Sequence, residues 1–90
     1  MDEAQFIERL QAGGHAGATL ALLEKLGFTR AFVLANVLNA ATGVNVSHIA
    51  MLWQGMPNKH DRKRTRQLLD ALTEAGLLAF DEPTETWKPV

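Results

Sequence analysis

Five of the chain's nine lysines and arginines, Lys59, Arg62, Lys63, Arg64 and Arg66, fall within the eight positions 59–66. Set against Asp61 they give that segment +4. Four cations and nine carboxylates, or −5, remain on the other 82 residues of a chain whose formal net charge is −1. Cations packed this densely on a near-neutral chain form an electrostatic footprint for phosphate, whose chemistry is counterion release and charge-assisted hydrogen bonding. A solvated helix face of no further purpose has the same composition, so the cluster by itself leaves both readings open.

Other constellations promise less chemistry. His15, His48 and His60 lie far apart and at no spacing that sets two ligands on one helix face, so no metal site is expected. The chain has no cysteine, which removes disulfides, thiolate metal sites and a thiol nucleophile. Gly13-Gly14-His15-Ala16-Gly17 is glycine-rich like a phosphate loop, but it follows a helical pattern where such loops follow a strand, and it lacks the Gly-Lys-Ser/Thr ending. It reads as a hinge. The His60-Asp61 pair has no serine placed by any motif to act as nucleophile, so neither an enzyme nor a cofactor is expected.

Ninety residues, 47% hydrophobic and 21% charged, describe one ordinary globular domain with a core, not a disordered tail. Such a chain buries only about 60 to 65% of the surface it exposes when unfolded. No apolar run approaches the roughly 18 to 20 residues that cross a bilayer. Met1-Asp2-Glu3 is acidic where a secretory signal is basic. The expectation is a cytoplasmic protein without a membrane partner.

The elements that must position the cations follow from periodicity and caps. Asp2 caps a first helix bearing Phe6, Ile7 and Leu10 on one face, ended by Gly13-Gly14. A second helix after Gly17 carries Thr19, Leu22, Leu23 and Leu26 and stops at Gly27. Thr29 caps a third, through about Thr42, whose Phe32, Val33, Leu34, Val37, Leu38 and Ala41 mark it as the central core helix. Val44-Asn45-Val46 is a brief β-prone stretch, and Ser47 caps a short helix with Ile49, Ala50, Leu52 and Trp53, the last read as core. Asn58 or Asp61 caps a long helix to Ala75, with Leu68, Leu69, Leu72 and Ala75 inward and Gly76 as its stop. Leu77 to Phe80 reads as a strand, Asp81-Glu82-Pro83 as a turn, and Thr84 to Lys88 as the return strand.

At 100° per residue, Lys59, Lys63 and Arg66 lie opposite Leu68, Leu69 and Leu72, followed by Asp70 and Glu74, while Arg64 lies nearer the core flank. Cations in the first turns of a helix oppose its dipole, at about 0.3 to 1 kcal/mol each when exposed. A chain selected for stability alone would carry the opposite order.

The sequence Arg62-Lys-Arg-Thr-Arg-Gln-Leu-Leu-Asp-Ala-Leu-Thr-Glu-Ala-Gly-Leu-Leu, within the order core helix, short strand, short helix, long helix and hairpin over residues 28–90, resembles the winged helix-turn-helix DNA-binding family. The resemblance covers about two-thirds of the chain. It implies a mainly α fold with a small β-hairpin, residues 28–90 forming the winged helix-turn-helix and residues 1–27 a helical arm of the same domain. It also implies that helix 58–75 enters the major groove of double-stranded DNA, as in a small transcriptional regulator. Lys59, Arg62, Lys63 and Arg66 are then the expected phosphate or base contacts, with Asn58, His60 and Thr65 as hydrogen-bonding readers. Pairing of half-sites implies a homodimer, for which Phe6, Ile7 and Leu10 on the arm are the expected interface. The acidic turn, with Asp81, Glu82 and Glu85 against Lys88 alone, departs from a wing that brushes phosphate. It favours an alternative in which the same fold binds a protein partner, docking its basic helix on an acidic or nucleic-acid-binding surface, as a small inhibitor or adaptor encoded by a phage or other mobile element would.

Overall fold

The computed structural model describes residues 1–90. Five helices are followed by a two-stranded antiparallel hairpin: α1 Glu3–Ala12, α2 Ala16–Leu26, α3 Arg30–Val33, α4 Val46–Gln54, α5 Lys59–Glu74, β1 Leu78–Asp81 and β2 Thr86–Pro89. The mainly α class with a small hairpin is therefore as expected.

Short polar side chains set the helix starts. Asp2 and Gln5 form a reciprocal capping box on α1, and Asn58 and Asp61 form another on α5. Thr29 Oγ1 accepts from the Phe32 amide at 3.1 Å to open α3. Asn45, not Ser47, caps α4: its Oδ1 accepts the His48 amide at 2.8 Å, because Asn45 keeps extended dihedrals while Val46 is already helical. Gly17 does not precede α2 but lies inside it, since the turn closes at Gly14, whose φ of 75° supplies the reversal.

The third helix is shorter than its apolar run implies. After Val33 it widens into a π-helical turn over Leu34–Leu38 and ends there, not near Thr42. Asn39 leaves the helix: its amide N donates to the Leu34 carbonyl at 3.0 Å and its side-chain Nδ2 to the Met1 carbonyl at 2.8 Å. A tertiary bond to the start of the chain thus replaces the next helical turn.

The hairpin pairs Phe80 with Trp87 and Leu78 with Pro89. Val44 joins the far side of β2 through a single bridge, exchanging 2.8 Å bonds in both directions with Trp87. This is all that forms of the β-prone stretch at Val44-Asn45-Val46, because Asn45 turns at once to capping.

One core of sixteen buried residues draws on every element, with Leu68, Leu69 and Leu72 of α5, Val33 and Val37 and Trp87 among those fully or almost fully enclosed. Phe6 and Leu10 belong to the same core and are 0% exposed, which corrects their reading as a dimer interface. Ile7 packs against that core and is half-buried. The reason lies in size: a unit of some sixty residues buries little apolar surface on its own, and here α2 packs on both α1 and α5 to complete it. The arm is part of the core.

Candidate functional site

α5 presents its cations because its apolar residues recur at helical spacing. Thr65, Leu68, Leu69 and Leu72 are buried along one stripe, so the side chains half a turn away must face solvent. Asn58, Lys59, His60, Arg62, Lys63, Arg64 and Arg66 are all exposed.

Thr65 is not a surface reader. It is 0% exposed, and its hydroxyl donates to the Asp61 carbonyl at 2.8 Å, one turn back along the helix. The spacing already carried this signal, since Thr65 stands three and four residues before Leu68 and Leu69. Asn58 is exposed but committed as a cap, its Oδ1 accepting the Asp61 amide at 2.9 Å.

The five cations divide among four surroundings. Lys59 and Lys63 have no ionic or hydrogen-bond partner within the molecule. Arg62 Nη1 donates to the Pro57 carbonyl at 3.1 Å, and Arg66 Nε lies 3.6 Å from Asp70 Oδ2 while its guanidinium stands 5.4 Å from the centre of the Trp87 ring. Arg64 leans the other way, 5.8 Å from the Trp53 ring, which is half-buried and stacked on Phe28 at 4.1 Å. It belongs to the core flank, as its angular position implied.

Arg62, Lys63 and Arg66 converge on an open cleft of about 530 Å³, completed by Asn45, Val46 and Ser47 from the start of α4 and by Thr84, Glu85 and Trp87 from the hairpin. Three segments distant in sequence meet here, so no local motif announced the cleft. The residues that reasoning along the chain missed are those of α4's first turn and Trp87. The signal that could have found them is Asn45 read as the α4 cap in place of Ser47, because a cap marks the place where free amides emerge.

The hairpin turn at the cleft edge is self-braced. Thr84 Oγ1 donates to Asp81 Oδ2 and lies 2.7 Å from Thr86 Oγ1, and Glu85 adopts a φ of 51°, in the left-handed region. No three His, Asp or Glu side chains gather where they could hold a metal ion. No helix is long and apolar enough to cross a membrane.

Comparison with protein-family models, with curated proteins and with solved structures returns no match to this chain.

Proposed function

We propose that this chain is a winged helix-turn-helix protein that binds double-stranded DNA through α5, in the manner of a small transcriptional regulator. The observation that carries the reading is the side of α5 turned away from the core. It holds Lys59 and Lys63 unpaired, with Arg62 and Arg66 beside them, in the helix's first two turns. The order α3, Val44 bridge, α4, α5 and hairpin supports it, since α4 then supports a reader helix whose N-terminal residues face a groove. Four phosphates neutralised per protomer would give a slope of log K against log salt of roughly −3.5. Polarisation titrations of a labelled random duplex across a salt series test it: binding absent at about 50 mM salt, or flat with salt, removes the DNA reading.

In this reading two copies pair through a surface other than Phe6 and Leu10, whose exposure would open the core. A second reading, a protein-binding inhibitor or adaptor, is favoured by one specific feature. Met51, Leu52 and Met56 are 56%, 50% and 94% exposed along α4 and the turn after it. Three exposed apolar side chains within six positions supply the kind of surface that a protein contact covers. Failure of the duplex titration promotes this reading.

A further inference from the structure

The cleft between α4, α5 and the hairpin is built for a single phosphate group, and we infer that it is a phosphate seat. This deepens the duplex-DNA reading and rests on it for the identity of the phosphate's carrier. Three independent features meet there. The amides of Val46 and Ser47, the first two of α4, have no acceptor, because Asn45 serves only His48 through its side chain and Ile49 through its carbonyl. Their N–H groups stand at the positive end of the helix dipole, where anions are favoured.

Arg62, Lys63 and Arg66 approach from α5, and with Glu85 they leave the cleft wall with a net +2. The third feature is Trp87. It forms part of the same wall, is 1% exposed, and its Nε1 is the one buried side-chain polar atom in the protein without a hydrogen-bond partner. Orphaned buried donors are rare because each forfeits its hydration with no return. A phosphate oxygen would be an acceptor for this indole N–H, which is closed to solvent in the structure and is reached only if Arg66 or the ring shifts as the anion enters. Arg66, whose guanidinium stands 5.4 Å from the centre of the indole ring and 5.8 Å from that of Phe80, pairs with Asp70 at an exposed site, so that pair can be exchanged for one with the anion. Glu85 opposes the anion, which favours a phosphodiester or monoester engaged on one side over a polyphosphate that would crowd the carboxylate.

The test is a nitrogen–proton correlation spectrum of the whole labelled chain, titrated first with inorganic phosphate against sodium chloride of equal ionic strength and then with a short duplex. The expected result is a saturable shift of the Trp87 indole N–H and of the Val46 and Ser47 amides with phosphate and not with chloride. Lys63→Gln with Arg66→Gln should weaken it by about tenfold or more, in keeping with loss of two charge-assisted contacts. Glu85→Gln should tighten it by roughly two- to fivefold, the effect of removing one exposed like charge. Trp87→Phe removes the donor, and the Lys63/Arg66 variant serves in its place if that protein does not fold.

If the duplex moves the same resonances at lower concentration, the phosphate belongs to a DNA backbone. If phosphate moves them and the duplex does not bind, the seat takes a free phosphate compound and the DNA reading alone falls. If the duplex binds while these three resonances stay fixed in both titrations, the seat is overturned and the DNA reading stands. Stillness of these resonances with no duplex binding overturns both.

Discussion

The Arg66 guanidinium stands 5.4 Å from the centre of the Trp87 ring and 5.8 Å from that of Phe80, so one cation of the basic helix covers the aromatic pair that joins the hairpin to the core. Arg66 is thus both a surface charge and a piece of packing, and its long apolar stem contributes to the second role. Arg66→Ala should cost about 0.5 to 1 kcal/mol, the scale of an exposed cation–π contact. Urea denaturation checks this, and a variant as stable as the parent would show that the contact contributes nothing.

Lys63 separates charge from packing. It is exposed and unpartnered, so Lys63→Ala should change stability by less than about 0.5 kcal/mol. In the DNA reading the same change should lower affinity and reduce the magnitude of the salt slope by about one. Unchanged affinity for duplex DNA together with Arg62→Ala and Lys59→Ala variants that also bind normally would place the reading on the wrong surface.

Thr65→Val tests whether that residue reads bases or fills the core. The hydroxyl serves only the Asp61 carbonyl, which the helix can do without, so the apolar replacement should alter stability by no more than about 1 kcal/mol in either direction. DNA affinity should be unaffected. A selective loss of affinity in a protein of normal stability would return Thr65 to the list of readers.

At the start of α5, Asn58→Ala should cost about 0.5 to 2 kcal/mol, because the capping box with Asp61 is lost. Asn58→Ser preserves a capping oxygen and should recover most of that stability. If Asn58 acts on DNA only through the cap, serine also restores affinity; if its amide meets a base, stability returns without affinity.

The N-terminal arm gives the largest expected effects. Phe6→Ala should cost about 3 to 5 kcal/mol and Leu72→Ala about 2 to 5, both by opening cavities in one shared core. Removing residues 1–13 should unfold the chain, as circular dichroism and thermal melts would report. A folded monomeric truncation would restore the arm to the role of an interface.

Local pattern and tertiary assembly contributed differently to what could be read. Spacing along α5 placed Lys59, Lys63 and Arg66 opposite Leu68, Leu69 and Leu72, because a helix's angular order is a property of the chain alone. Caps were legible in part for the same reason: Asp2 and Thr29 each bond to an amide three residues on, as does Asn58, which stood level with Asp61 in the sequence, whereas the cap of α4 is Asn45 and not Ser47. The apolar stripe of Phe6, Ile7 and Leu10 was equally plain, yet an amphipathic face states that something will cover it without stating what. The covering surface turned out to be this chain's own core, and that depends on where α2 docks. The π-helical end of the third helix depends likewise on Asn39 reaching Met1, 38 positions away in sequence. The cleft is the extreme case, since residues 45–47, 62–66 and 84–87 acquire their shared wall only when α4, α5 and the hairpin have packed. Short-range periodicity specifies which way a side chain faces, whereas the neighbour it meets there is chosen by burial of the whole apolar surface, a sum over the folded molecule that no single segment contains.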